Sequence, residues 1–257
     1  MDLICVTLAE RPDLADRLWD LSDQWPTFML HDPVAGLYYN DAALDTFAEH
    51  VLLVLDREDS ESLVARGFSV PFVFDGPVEE LPDGGWDWVV VRASTDHWLA
   101  RPPTMVSALE ITVRSDLRGQ GLSALVLDAM RRNVARLGFS DLVAPVRPNA
   151  KHREPELAMI EYLARTRADG LPADPWLRVH VRAGGRVVKV AHCSMTITAS
   201  LERWREWTGL PFDRQGPVRV PGALVPVECD LVHERAVYVE PNVWVHHRLT
   251  TGGTSGR

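Results

Sequence analysis

Lysine is almost missing from this chain: Lys151 and Lys189 are the only two in 257 residues, and arginine supplies the rest of the positive charge. The formal balance is −9 at neutral pH, with no basic tract. Nonspecific nucleic-acid binding depends on neutralising phosphates, so this balance argues against it. The arginine bias itself reads as genomic composition. Cysteine is equally scarce. Cys5, Cys193 and Cys229 stand apart, with no CxxC pair, which excludes a disulfide framework and suits a reducing cytoplasm. Long apolar runs are lacking too. Residues 51–55 are far too few to span a bilayer, and Met1-Asp2-Leu3-Ile4 has neither the basic start nor the long apolar stretch of a secretory signal. A cytoplasmic protein without a membrane span is therefore expected. Its acidic surface would tolerate a cationic amine.

What is present is an ordinary globular composition, 46% hydrophobic. One domain over residues 1–249 is expected, followed by a disordered tail at 250–257. Strand patterns occur at 3–8, 51–55 and 63–74, and helical spacing joins Leu14, Leu18, Leu21 and Trp25 behind Pro12. A short helix is predicted at 41–49. Two insertions interrupt the pattern. That at about 75–104 begins irregularly and then shows a helical face of Trp88, Val91, Thr95 and Trp98. That at about 199–234 holds a helix at 201–207 and a run rich in proline and glycine. Between them come a charged helix at about 155–165, a helix at 176–183, a strand at 186–191 and, last, a strand at 236–249 interrupted by Pro241.

The most informative stretch is Leu109-Glu110-Ile111-Thr112-Val113-Arg114-Ser115-Asp116-Leu117-Arg118-Gly119-Gln120-Gly121-Leu122-Ser123. It reads as a strand, a polar turn and a glycine-interrupted entry into a helix at 123–137, which Gly138 stops before a strand at 142–146. Such a junction presents unpaired backbone N–H groups and the positive end of a helix dipole. Gly119 and Gly121 permit close approach, and Arg118 adds charge, so a phosphate is the natural guest. A P-loop would need Lys and Ser or Thr after the second glycine, where Leu122 stands. Gly119-x-Gly121-x-x-Ala124 matches a Rossmann fingerprint in letters. However, a five-residue turn separates Val113 from Gly119, and Asp141 opens the following strand where that fingerprint needs an acid at its close.

The arrangement of strand, Arg-Gly-Gln-Gly-Leu, helix, glycine and strand resembles the GNAT superfamily of N-acetyltransferases, whose motif is Q/R-x-x-G-x-G/A. Asp116 departs from its first position. The resemblance covers 107–191 well and the N-terminal elements loosely. It implies an α+β fold (mixed α/β), with a central mixed, mostly antiparallel sheet flanked by helices, carrying insertions and a C-terminal extension. It also implies acetyl-CoA as co-substrate, its pyrophosphate held by amides of Arg118, Gly119, Gln120, Gly121, Leu122 and Ser123, with Asn149 in the loop beyond the next strand counted among the cofactor contacts. A bulge in the fourth strand should offer an N–H to the acetyl oxygen, by position from Ile111, Thr112 or Val113.

The resemblance further implies direct attack of an amine on the thioester, which needs a polarised carbonyl, a proton acceptor and a proton for the sulfur. Glu110, an acid in an apolar strand, is the candidate base; pairing with an arginine on the other side of the sheet is the rival reading. His180 stands where the family often has a tyrosine acid, in His180-Val181-Arg182-Ala183-Gly184-Gly185, and is the candidate acid or relay. His31, Asp32, Tyr38 and Tyr39 lie where family members shape the acceptor pocket. Tyr162 reads as packing.

No metal is expected. Glu228, Cys229, Asp230 and His233 form a weak constellation. Neighbours on a strand such as His246 and His247, or His192 and Cys193, point to opposite faces. The expected activity is acetyl transfer to a small primary amine. A GNAT-like acyltransferase or decarboxylase using another acyl-CoA or a carrier protein, and a non-catalytic CoA-binding module, remain open. The late insertion and last strand offer surfaces for a homodimer.

Overall fold

A computed structural model describes residues 1–59 and 62–250. The expected tail lies outside the described residues from 251 onward. Among the described residues nine strands form one sheet in the order β1-β2-β3-β4-β5-β9-β8-β7, with β6 also paired to β9. Every pairing is antiparallel except β4 with β5. The sheet is therefore mixed and mostly antiparallel, with helices on both faces.

The first strands are β1 (Leu3–Thr7), β2 (Val51–Asp56) and β3 (Ser62–Phe72). β2 is buried at every position, which explains its unbroken apolar run: a strand covered on both faces has no solvent side to alternate with. A 3-10 segment, Pro12–Gln24, buries Leu14, Leu18 and Leu21 on one face of the sheet, and α1 (Asp41–Thr46) lies on the same side, capped by the Asn40 side-chain oxygen, which accepts from the Ala43 amide. The 75–104 segment becomes α2 (Gly85–Trp98). Its buried face is Trp86, Val89, Val90 and Ala93, not the predicted Trp88, Val91, Thr95 and Trp98. Val91 is 44% and Trp98 84% exposed. The aromatic spacing misled because two faces of this helix carry apolar side chains, and packing on the sheet decides between them.

On the opposite face, α3 (Leu122–Arg136) packs Val126 and Met130 over β3. Gly67 on β3 is the contact point: a Cβ there would meet Val126 Cγ1 at 3.0 Å and Met130 Cε at 3.1 Å. Next come β4 (Met105–Val113) and β5 (Asp141–Val146), then α4 (Met159–Leu163), shorter than the predicted helix, and α5 (Pro175–Arg182). Pro175 and the Asp174 carboxylate, which accepts from the amides of Trp176 and Leu177, start α5.

The C-terminal part is longer in strand than its sequence pattern shows. β6 runs Arg186–Ser200 and β9 runs Arg235–Arg248 without a break at Pro241. Pro241 lies where the β6 register jumps between Ala191 and Met195, so its missing N–H falls in an irregular stretch and costs no ladder bond. α6 (Leu201–Thr208), β7 (Gly216–Val218) and β8 (Val227–Asp230) enclose a smaller core around Trp204, Phe212 and Tyr238. No helix among the described residues is long and apolar enough to cross a membrane.

Candidate active site

The sheet parts in its middle. β4 and β5 are parallel neighbours only at Val106↔Leu142 and Ser107↔Val143. Beyond these pairs the strands diverge, and a wedge opens toward their C-terminal ends. At its vertex β4 carries a bulge: Phe68 pairs with Glu110 but Ser69 with Ala108, which leaves Leu109 as the extra residue. The bulge therefore sits two residues before the expected 111–113. From Glu110 onward the ladder is regular, and Arg114 N–H donates to Val64. Alternation then turns the Glu110 and Thr112 amides toward β3 and the Ile111 and Val113 amides toward the wedge. The Leu109 carbonyl is held by the Trp86 indole N–H at 3.2 Å.

The mouth of the wedge faces the glycine loop. Gly119 has φ +79° and Gly121 φ +85°, the left-handed region that L side chains avoid. The space above both is open. Gly121 is the N-cap of α3, and no side chain caps the helix or places an acid in its first turn. The first amides of α3 are thus left to an external acceptor, and the dipole favours an anion. Arg118 is exposed and has no ion-pair partner among the described residues, whereas Asp116 is drawn away by Arg114 at 2.8 Å. Asn149 is exposed just past the end of β5, on the other side of the mouth. These residues fit a diphosphate at the loop and a thin chain running down the wedge.

The two candidate catalytic residues lie on opposite faces of the sheet. Glu110 points to the α2 side and is 8% exposed. Its carboxylate accepts from Arg66 Nε at 2.9 Å and Nη2 at 2.8 Å, from the Thr112 hydroxyl at 2.5 Å and from the Tyr39 hydroxyl at 2.9 Å. Arg66, itself 3% exposed, also donates to the Leu18 carbonyl and lies over the rings of Trp19 and Phe68. Glu110 is thereby committed to a buried ion pair, so the arginine-paired reading describes it.

His180 is on the α3 side with α5. Its Nδ1 lies 3.0 Å from Nε2 of His247, and the Trp176 ring meets it edge-on. Burial pushes its pKa down to about 3 and that of His247 down to about 4. Burial thus favours the neutral form of both rings. His246, one residue along, faces the other way and meets Asp141 at 2.8 Å. Among the described residues no cluster could hold a metal.

The acceptor-side candidates separate. Tyr38 is core: its hydroxyl donates to the Ser69 carbonyl at 2.9 Å and its ring is 1% exposed. His31 stacks on Trp207 at 4.2 Å. Tyr39 joins the site, stacked on Trp86 and bonded to Glu110, and Asp32 turns its Oδ1 to the amides of Val34 and Ala35. Sequence reading missed Trp86, Arg66 and Asp87. Trp86 and Asp87 lie in an insertion without a motif, and Arg66 follows no pattern that separates it from a surface arginine.

The chain is 37% identical to the arginine N-acetyltransferase avaD of Aspergillus versicolor, an alignment of 273 residues that spans 95% of this chain and 93% of that protein. The chain belongs to the GNAT superfamily of N-acetyltransferases. No family model matches it. Among solved structures it is similar to the loading GNATL domain of CurA from Lyngbya majuscula, with TM-score 0.52 and 14% identity over 96% of each chain. It is also similar to the GphF GNAT-like decarboxylase in complex with isobutyryl-CoA, with TM-score 0.55 and 14% identity over 97% of this chain and 100% of that one. These two share the GNAT fold. This GNAT protein is an acyltransferase that transfers an acetyl group to an amine.

Proposed function

We propose that the protein transfers the acetyl group of acetyl-CoA to a primary amine of an arginine-like small molecule. The wedge between β4 and β5, with a glycine-capped helix at its mouth and a bulge at its vertex, carries this reading; the arginine N-acetyltransferase relative supports the choice of acceptor. The amides of Gly119–Ser123 hold the diphosphate, helped by Arg118 and Asn149. The pantetheine arm lies along β4, where the Ile111 and Val113 amides are free to pair with it as an added strand does.

The thioester then reaches the vertex. Main chain at Leu109 is the donor site for its carbonyl oxygen, and the Trp86 indole fixes that main chain by holding the Leu109 carbonyl. The amine nitrogen attacks the carbonyl carbon, the C–S bond breaks as the tetrahedral intermediate collapses, and the sulfur leaves with its electron pair. The attacking amine gives its proton to water, and the thiolate, whose parent thiol has a pKa of about 8.5, leaves without a strong acid and takes a proton from solvent. Positioning and oxyanion stabilisation therefore carry most of the rate. Glu110 serves as a positioning group that orients Tyr39, and His180 as a buried support for α5. The test is thiol release with acetyl-CoA and L-arginine, confirmed by the mass of the product. Malonyl-CoA and isobutyryl-CoA in the same assay would reveal a different acyl donor. No release with any acyl-CoA and amine, from protein shown to bind CoA, overturns the reading.

A further inference from the structure

Three carboxylates lie together on the α2 face, Glu240 and Asp32 buried and Asp87 half-buried. Glu240 is 0% exposed and fully partnered: Arg147 Nε donates to it at 2.9 and 3.1 Å, the Tyr238 hydroxyl at 2.6 Å and Asn242 Nδ2 at 2.9 Å. The other two are not. Asp32 is 5% exposed; its Oδ1 accepts from the amides of Val34 and Ala35 at 2.7 and 3.2 Å, but Oδ2 is buried with no partner. Asp87, in the first turn of α2, accepts from the Thr196 amide at 3.0 Å through Oδ2, and its Oδ1 is likewise buried without a partner. The two carboxyls sit against each other.

Such a pair is costly unless something positive lies between them. The charged groups facing it are Glu240, which raises both acids, and Arg147, which Glu240 already occupies. Without a cation, the pair keeps a proton. Burial and Glu240 push both carboxyls upward, and the charge of Asp32 lifts Asp87 further. The pair also adjoins the acyl site, because Asp87 follows Trp86, the residue that holds the bulge carbonyl and stacks on Tyr39.

We infer that the Asp32–Asp87 pair is the receptor for the cationic end of the acceptor, a guanidinium. This rests on the acetyltransferase reading and names the feature that selects its substrate. A guanidinium is planar and presents five donors in a fork that matches carboxylate oxygens, with flat faces suited to the Trp86 and Tyr39 rings. On entry it replaces the shared proton, which leaves to solvent.

The test compares L-arginine with citrulline, whose urea has the same shape without the charge, by calorimetry on the CoA-loaded protein and by kcat/KM. The variants are Asp32→Asn and Asp87→Asn. Each keeps an oxygen for its amide donors, so melting temperature should hold or rise. Wild type should prefer arginine by roughly 10- to 100-fold, with a proton released on binding that shows as a buffer-dependent heat. Both variants should lose the preference and the released proton. Retention of the arginine preference by either folded variant overturns the inference, as does equal binding of arginine and citrulline by wild type. If wild type acetylates arginine while the variants keep their preference, the acetyltransferase reading stands and the receptor fails. If arginine binds through the pair but no thiol is released, the acetyltransferase reading fails and the receptor stands. Should Asp32→Asn not fold, Asp87→Asn decides alone.

Discussion

Replacing Glu110 by Gln separates two accounts of the strand that lines the wedge. The substitution keeps the side-chain volume and removes the only carboxylate that Arg66 meets among the described residues. Arg66 is 3% exposed, and the rings of Trp19 and Phe68, 5.9 and 5.2 Å from its guanidinium carbon, do not replace a counter-charge. Breaking a buried pair in this way costs about 3–5 kcal/mol, which for a chain of this size lowers Tm by roughly 6–20 °C. Adding Arg66→Gln should return most of the loss, because the orphaned charge is gone. Thermal unfolding and kcat are measured on the same samples below the transition. A positioning role predicts the large drop in Tm, its recovery in the double variant, and a fall in kcat/KM of about tenfold as Tyr39 loosens. If Glu110→Gln unfolds within about 1 kcal/mol of wild type while kcat falls by about a thousandfold or more, Glu110 takes the substrate's proton and the reasoning fails.

Further outcomes follow from the same geometry. Gly121→Ala should cost about 1–2 kcal/mol in denaturant unfolding, since alanine resists φ +85°, and should raise the KM for acetyl-CoA further, because its methyl fills the open space above the loop. Arg118→Ala should leave stability within about 0.5 kcal/mol yet raise that KM several-fold, with the difference fading at high salt; an unchanged KM would remove Arg118 from the coenzyme site. Burial holds His50, His180 and His247 at about 4, 3 and 4 in the folded state. The unfolded chain binds their protons first, so their stabilisation is complete above pH 6.5. It is lost as pH falls from there, toward about 4 for His50 and His247 and about 3 for His180, by up to about 1.4 kcal/mol per unit for each histidine within its window. His247→Phe should flatten that limb in urea titrations at several pH values; an unchanged slope would mean His247 is protonated in the native state.

Much of this molecule was legible in advance because its strongest signal is local. The glycines at 119 and 121 are demanded by backbone conformation, and such demands are written at single positions. The strands at 51–55 and 63–74 announced themselves by apolar content. Other features were illegible because they depend on residues far apart in the chain. Glu110 read equally as base or ion-pair partner until Arg66, 44 positions away, was placed beside it. Asp32 was noted as a pocket residue, but its partner Asp87 lay in an insertion without pattern. His180 occupied a position with a catalytic precedent, and only the fold shows His247 against it. The bulge at Leu109 leaves no mark on an alternating sequence, and Pro241 suggested a break that the irregular register opposite it absorbs.

The central claim is that main-chain amides at the start of α3 grip the coenzyme diphosphate. Crystals grown with acetyl-CoA test it directly. The diphosphate oxygens should lie within hydrogen-bonding distance of the Gly119–Ser123 amides, with the thioester beside Leu109. Coenzyme bound elsewhere, for instance in the groove between β1 and α3 lined by Arg132 and Arg136, would contradict the account.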